Sequence, residues 1–289
     1  MNQQLLRQFF DHPRHYRDNK FVYPVVSRRS RGVSIGINLN PDRICNFDCI
    51  YCQVDRRSEA EQRFVETDRL LEELQSLLAY VNTGQLFQEP EFSDLPDAWR
   101  RVNDIAFSGD GEPTSHRNFD EISGLVADVK RQHGLDQVKL VLITNASLFH
   151  RPRVAQALEI FDRNQGEIWA KLDAGTDAYY QLVERTTVPF SLVLDNIRDA
   201  AKLRPIVIQS LFMRIHDQPP SEQEIEAFCD RLTGILDAGG RIAAVQVYTI
   251  ARAPAEDWVA ALLNAELDAI AETVETQTQL RVERYYGQS

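Results

Sequence analysis

The chain carries a cluster of three cysteines. Cys45, Cys49 and Cys52 lie within eight residues, in a C-x-x-x-C-x-x-C segment whose sixth to eighth residues are Ile-Tyr-Cys. The whole chain has only four cysteines, and such a cluster in a cysteine-poor chain is more typical of metal binding than of a disulfide framework. Thiolates are soft ligands that suit iron–sulfur clusters, zinc or copper(I).

The number of ligands favours a catalytic cluster. A structural zinc site needs four ligands, and no other Cys or His lies close to the triplet in the sequence. A [4Fe–4S] cluster usually takes one thiolate for each iron, so three thiolates leave one iron open. A zinc knob or chance clustering is the alternative. Cys229 lies on the apolar stripe of a predicted helix, and we expect it to be a core residue rather than a fourth ligand.

Short apolar runs alternate with helical stripes along the chain, which predicts six strand–helix units. Six units in a row favour a parallel sheet with right-handed crossovers. Because six units cannot close as eight do, we expect an α/β fold, a partial (β/α)6 TIM-like barrel in a single domain, with an open doubly wound sheet as the alternative. The predicted strands are residues 33–39, 104–107, 138–143, 167–172, 205–212 and 242–250.

Helix boundaries and domain limits follow from local signals. Ser221 and Glu224 form a capping-box pattern before an apolar stripe, and Gly239-Gly240 predict its end. A last helix is predicted from about Asp257 to Thr276. We predict an N-terminal extension over 1–32, the barrel domain over 33–276 with a long inserted connection at 82–103, and a tail over 277–289.

Polar, glycine-containing segments follow successive predicted strands. The cysteine loop, residues 109–114, Thr144-Asn145 and residues 173–175 each come directly after a strand. Because the carboxyl ends of parallel strands form the functional face of such folds, these segments are expected on one rim.

Composition narrows the class of protein. The 289 residues carry a formal net charge of −11, so the basic footprint of a nucleic-acid binder is missing overall. No apolar run approaches the length needed to span a bilayer, and the first ten residues have no apolar signal core. We therefore expect a cytoplasmic protein without a membrane-spanning segment.

Two motifs together resemble those of a known family. The cysteine loop with an aromatic residue before its last cysteine, followed after the second strand by Gly111-Glu112-Pro113, resembles the radical S-adenosylmethionine (SAM) superfamily and its GGEP motif, with Asp110 at the usual first glycine. The resemblance covers about residues 33–250. Within the superfamily, residues 38–41, 45–53, 108–114 and 143–145 are most similar to the wyosine-synthetase-like group, which includes tRNA-modifying enzymes and many uncharacterised bacterial relatives.

The resemblance implies both cofactors and their ligands. Cys45, Cys49 and Cys52 would bind three irons of a [4Fe–4S] cluster, and SAM would chelate the fourth. Cleavage of SAM by one electron, from a donor such as flavodoxin or ferredoxin, would give a 5′-deoxyadenosyl radical that abstracts hydrogen from a substrate. No catalytic side chain is assigned. The residues implied to contact SAM are Tyr51, Ser108, Gly109, Asp110, Gly111, Glu112, Thr144, Asn145, Lys171, Asp173, Gln209 and Tyr248.

Structural roles are the alternative for several of these residues. Tyr51 is also compatible with simple packing, Glu112 with capping of the next segment, and Thr144-Asn145 with a turn. Lys171 and Asp173 alternate on one strand and so face the same side, where they can form an ion pair.

Three functions compete at this level. The first is a radical SAM enzyme acting on a small molecule or on a nucleoside in tRNA, although the charge does not support tRNA. The second is an activase that installs a glycyl radical on a partner protein, and the third is an iron–sulfur electron carrier without chemistry of its own.

Overall fold

The computed structural model describes residues 16–27, 29, 31–56, 58–60 and 62–287. The chain forms two compact units. Unit 1 comprises Met1–Ile44, Glu59–Ile143 and Pro152–Glu167, and unit 2 comprises Cys45–Ser58, Thr144–Arg151 and Ile168–Ser289.

Unit 1 is built on four adjacent strands, of which β1 runs antiparallel to β2 while β2, β3 and β4 are parallel. Strand β2 is buried along its whole length, as expected for a parallel strand covered on both faces. Its elements are β1 (Val22–Ser27), β2 (Gly32–Ile37), α1 (Thr67–Asn82), β3 (Val102–Phe107), α2 (Phe119–Gln132), β4 (Lys139–Thr144) and α3 (Pro152–Asp162).

Unit 2 continues the alternation. Strands β5, β6, β8 and β10 are parallel neighbours, and β7 and β9 form a small antiparallel pair. Its elements are β5 (Gly166–Lys171), α4 (Asp177–Glu184), α5 (Phe190–Leu203), β6 (Ile206–Leu211), β7 (Met213–Ile215), α6 (Glu222–Asp237), β8 (Ile242–Tyr248), β9 (Val259–Ala261), α7 (Asn264–Thr278) and β10 (Val282–Tyr285).

All six predicted parallel strands are present, as β2, β3, β4, β5, β6 and β8. The α/β class with parallel strands is thereby confirmed. Strand β1 lies in the segment predicted as an N-terminal extension and β10 in the predicted tail, where each adds a strand to its unit. Strand β1 precedes the first strand–helix unit and the four-residue β10 follows the last helix, so neither belongs to the regular alternation from which the strands were predicted. Residues 1–15 lie outside the described residues.

The last helix was predicted too long. Helix α7 begins at Asn264, because Val259–Ala261 pairs with Met213–Ile215 as strand β9. The helix α6 prediction holds at both ends: the Ser221 side chain accepts a hydrogen bond from the Glu224 N–H, and Gly239 adopts a φ of 84° just after the helix. No helix of the described residues is long and apolar enough to cross a membrane.

Candidate functional site

The cysteine loop is anchored to the end of helix α4 within unit 2. The backbone N–H of Asp48 donates to the Glu184 carbonyl at 3.0 Å, and that of Ile50 donates to the Val183 carbonyl at 2.9 Å. The last carbonyls of a helix have no partner inside the helix. The loop therefore supplies hydrogen-bond donors to the last carbonyls of α4. The same two hydrogen bonds fix the backbone of the loop between Cys45 and Cys52.

Asn46 ties the same loop to the segment after strand β4. Its amide donates to Ser147 Oγ at 2.8 Å, and its Oδ1 accepts a hydrogen bond from Asn145 Nδ2 at 2.9 Å. The Asn46 backbone carbonyl also accepts from Thr186 Oγ1 at 2.8 Å. The predicted cofactor residue Asn145 thus positions the cysteine loop.

The turn after β4 is held by its own side chains. Thr144 Oγ1 accepts from the N–H of Ala146 at 3.0 Å, and Asn145 Oδ1 accepts from the N–H of Ser147 at 3.1 Å. Ala146 has a φ of 58°, and these two bonds hold its left-handed backbone in place. Thr144 and Asn145 therefore act as turn residues, which was the structural alternative for them.

The three cysteines are free thiols and partly exposed, whereas Cys229 is buried in helix α6. The Cys49 thiol donates to Glu184 Oε2 at 2.6 Å. Burial raises the pKa of Cys49 above its usual value, and the neighbouring Glu184 carboxyl adds to the shift. Cys229 is 1 % exposed, and burial raises the pKa of its thiol to about 11. Cys229 thus has the surroundings of an inert core residue.

Arg56 shows whether the site fits an iron–sulfur group. Its Nη1 donates to the Phe47 carbonyl at 2.9 Å and its Nη2 lies 3.5 Å from Cys52 Sγ. Its Nε is buried and has no acceptor within the part of the chain that the structure describes. A buried donor without an acceptor is costly, and sulfur bound to iron can accept its hydrogen bond. The chemistry of the donors, three thiols on one loop with the Arg56 guanidinium against Cys52, fits an iron–sulfur cluster, although in the described residues no three such side chains are already grouped to hold a single metal ion.

A buried ion pair lies at the end of strand β5. Lys171 Nζ is 3.1 Å from Asp173 Oδ2 and donates to the Tyr248 hydroxyl at 2.8 Å. The Tyr51 hydroxyl donates to the same carboxylate at 2.5 Å, and the N–H of Leu211 donates to its other oxygen at 2.7 Å. Burial by itself would lower the pKa of Lys171, but the Asp173 carboxylate outweighs it and the net shift is upward. Four predicted SAM-contacting residues are thus brought together in one network.

A row of polar side chains continues from Lys171 across the strands of unit 2. Lys171, Gln209, Gln246 and Glu283 stand opposite one another in the register of β5, β6, β8 and β10. Gln209 donates to Gln246 at 3.1 Å, and Gln246 donates to Glu283 at 3.4 Å. Only Lys171 and Gln209 were predicted as site residues. The two-residue spacing from Tyr248 is a signal that would have placed Gln246 on the same face.

The Gly-Glu-Pro segment is organised within unit 1. Glu112 is 2 % exposed and its carboxylate accepts hydrogen bonds from the N–H of Thr114 at 3.1 Å and from its hydroxyl at 2.5 Å. Glu112 therefore caps the short 3₁₀ turn Pro113–Ser115, which was the structural alternative. At the start of the segment, the backbone carbonyl of Ser108 accepts from the Tyr23 hydroxyl at 3.0 Å.

The glycines of this segment allow close packing against the chain after strand β2. A Cβ at Gly109 would overlap Asn38, and one at Gly111 would overlap the Ile44 carbonyl. Asn38 Nδ2 donates to Asp110 Oδ2 at 2.6 Å, while the Asp110 N–H donates back to Asn38 Oδ1 at 3.1 Å. Within unit 1, close packing against the protein's own backbone and side chains explains why these two positions are glycine.

The family comparison decides the class of protein. A model of the Radical SAM superfamily matches residues 39–219, which is more than half of the chain. The chain belongs to this superfamily. It is accordingly an enzyme, as predicted, and the family implies SAM and an iron–sulfur cluster as cofactors.

A curated relative gives no activity for the chain. A UPF0026 protein of Helicobacter pylori is 30 % identical over 142 residues, which cover 48 % of this chain and 39 % of that protein. The chain thus spans less than half the length of this relative.

Solved structures show the fold. A radical SAM methyltransferase from Sphaerobacter thermophilus matches with a TM-score of 0.63 at 11 % identity, over 93 % of this chain and 70 % of that one. TYW1 with a lysine-pyruvate adduct bound matches with a TM-score of 0.50 at 14 % identity, over 84 % and 73 %. The expected α/β partial barrel is confirmed at the level of fold.

Proposed function

We propose that this radical SAM enzyme holds a [4Fe–4S] cluster on Cys45, Cys49 and Cys52. The anchored cysteine loop, with the Arg56 Nε donor buried beside it, is the observation that carries the proposal. When bound, the cluster would supply the one electron that cleaves the sulfonium of SAM to methionine and a 5′-deoxyadenosyl radical, and this radical would abstract a hydrogen atom from the substrate. Membership of the superfamily supports this reaction.

The chain's own residues would orient SAM and keep water away. In unit 2, Tyr51, Lys171, Asp173 and Tyr248 form a buried network, and the mutual neutralisation of Lys171 and Asp173 makes it close to uncharged. In unit 1, residues 108–112 offer a tightly packed backbone that Asn38 holds in position. A network whose groups are already paired changes little when a ligand arrives, which favours a preorganised site. Thr144 and Asn145 would act by holding their turn and, through Asn145, the cysteine loop.

The wyosine-synthetase-like subgroup is proposed on the motifs together with the fold match to TYW1. The lysine adduct of that structure is a property of TYW1, and Lys171 here is a poor counterpart. An amine nucleophile must lose its proton, whereas Asp173 stabilises the protonated form of Lys171. The net charge of −11 favours a small-molecule substrate over a nucleoside in tRNA.

We also propose a cytoplasmic enzyme that receives its electron from flavodoxin or ferredoxin. Low-potential one-electron donors of this kind match the requirement for a reduced cluster. Electron transfer from the donor is measurable as the rate at which its reduced form is reoxidised on addition of the reconstituted enzyme.

The test is anaerobic reconstitution with iron and sulfide, reduction with dithionite and addition of SAM. We expect about four irons per chain, a changed electron paramagnetic resonance spectrum with SAM, and 5′-deoxyadenosine by chromatography. The Cys49→Ala variant should lose the cluster and all product, while the Cys229→Ala variant should keep both. A four-iron cluster whose spectrum ignores SAM and that yields no 5′-deoxyadenosine contradicts the proposal.

A further inference from the structure

Arg56 contacts the cysteine loop at two places. One arm of the guanidinium donates to the backbone carbonyl of Phe47, between the first and second cysteines, and the other reaches Cys52 Sγ at 3.5 Å. Its third donor, Nε, is buried without an acceptor in the described part of the chain. The side chain therefore places its positive charge and the Nη2 donor beside a predicted ligand sulfur.

The other charged groups near the loop are mainly carboxyl groups. Glu184 lies against the Cys49 thiol, and Asp173 is part of the buried network behind it. Lys171 is ion-paired with that Asp173, so its positive charge is largely cancelled. Arg56 has its contacts to the Phe47 carbonyl and to the thiols of Cys52 and Cys45 rather than to a carboxylate, and a guanidinium keeps its charge at every accessible pH.

Charge and hydrogen bonds at ligand sulfur set the reduction potential of an iron–sulfur cluster. Reduction adds one electron, and the added negative charge is stabilised by a nearby cation that donates to the sulfur. An arginine in this place makes the reduced state easier to reach, which offsets the opposite influence of neighbouring carboxylates and of a net charge of −11.

We propose that Arg56 raises the reduction potential of the cluster by donating to ligand sulfur, and that it thereby lets an ordinary cellular one-electron donor reduce the enzyme. The inference rests on the proposed function, because it requires the cluster on Cys45, Cys49 and Cys52. The electron comes from the external reductant, dithionite in the test below, and the cluster is the group reduced. Arg56 is a positioning and tuning residue and transfers neither proton nor electron.

The alternative is that Arg56 only braces the loop. If Arg56 only holds the loop in place, its replacement would change how much cluster the protein retains, but the retained cluster would keep the wild-type reduction potential. The reduction potential therefore separates the two roles.

The experiment compares four anaerobically reconstituted proteins without SAM: wild type, Arg56→Gln, Arg56→Lys and the control Arg198→Gln. Arg198 is paired with Asp195 and Asp199 on helix α5, so its replacement removes the same charge from an acidic helix surface. Iron and sulfide are counted first. The midpoint is then measured by redox titration with dithionite, with the reduced cluster followed by electron paramagnetic resonance.

We expect Arg56→Gln to show an about tenfold lower ratio of reduced to oxidised cluster than wild type at the same applied potential, which is a midpoint about 59 mV more negative for one electron. The midpoint potential of Arg56→Lys should lie between those of wild type and Arg56→Gln, since lysine keeps the charge but not the planar guanidinium. Arg198→Gln should match wild type.

A wild-type midpoint in Arg56→Gln with full iron content overturns the inference. If Arg56→Gln retains no iron, Arg56→Lys decides: a lowered midpoint supports the tuning role, and a wild-type midpoint overturns it. A wild-type chain that takes up no cluster at all contradicts the proposed function instead, so the two failures are distinguishable.

Discussion

Asn46 connects the cysteine loop to the turn after strand β4, and its removal should loosen that loop. The Asn46→Ala variant loses the bond to Ser147 Oγ at 2.8 Å and the bond from Asn145 Nδ2 at 2.9 Å. It leaves intact the bond from Thr186 to the backbone carbonyl of residue 46. The change therefore tests side-chain anchoring alone.

The free energy of anchoring depends on how exposed the partners in these two hydrogen bonds are. Asn46 is exposed, so its own amide regains hydrogen bonds to water, but Asn145 and Ser147 are 6 % and 1 % exposed. Each ordinary hydrogen bond contributes about 1 kcal/mol net, and Asn46→Ala removes two of them. We take about 2 kcal/mol for the anchoring, which corresponds to a roughly 30-fold larger population of detached loop.

The assay is the rate at which an anaerobic iron chelator removes the cluster. If the chelator acts on the detached loop, Asn46→Ala should lose iron up to about 30-fold faster than wild type. The control is Asn164→Ala, which removes an asparagine whose amide bonds the Ile160 carbonyl at 2.8 Å at the end of helix α3. Equal rates of iron loss for Asn46→Ala, Asn164→Ala and wild type would refute the anchoring.

Two further predictions concern buried groups. Cys229→Ala should keep its full iron content and lower the free energy of unfolding by about 1–2 kcal/mol in chemical denaturation, because it leaves a small core cavity; loss of the cluster would show that Cys229 is a ligand. Lys171→Met should cost about 3 kcal/mol, because it strands the buried Asp173 carboxylate, and the double variant with Asp173→Asn should recover most of that loss. Additive losses in this double-mutant cycle would mean that the two side chains are not coupled.

The comparison between sequence and structure is most instructive at helix α6. Ser221 caps the helix as its spacing predicts, since capping depends on residues three apart in the chain. The second half of the predicted capping box does not form. Glu224 instead accepts hydrogen bonds from the N–H of Gly175 at 2.5 Å and from Thr176 Oγ1 at 2.6 Å, at the start of helix α4. A side chain with a choice of donors takes the one that packing brings close.

The candidate site likewise combines features that the sequence predicts with features that depend on tertiary packing. The cysteine triplet is visible in eight consecutive residues, and its three thiolates favoured an iron–sulfur cluster over a four-ligand zinc site, whereas SAM was implied only by the family resemblance. Nothing local marks Asn46 as a support of the loop, because its side-chain partners Asn145 and Ser147 are set by how residues 144–151 fold onto it. The partners of Arg56, Phe47 and Cys52, lie only nine and four residues away, but no sequence pattern specifies these two contacts. Glu112 caps Thr114, which is one of the two roles that its motif allowed, and its role towards SAM stays a prediction.

The sequence alone determined the alternation of strands and helices, the cysteine loop and the buried place of Cys229, because each depends on periodicity or spacing over a few residues. The tertiary structure decided the polar row from Lys171 to Glu283, the short strands β9 and β10, and the anchoring of the cysteine loop. These features join residues far apart in the chain, and strand register and side-chain packing, which no local pattern encodes, determine which of them meet.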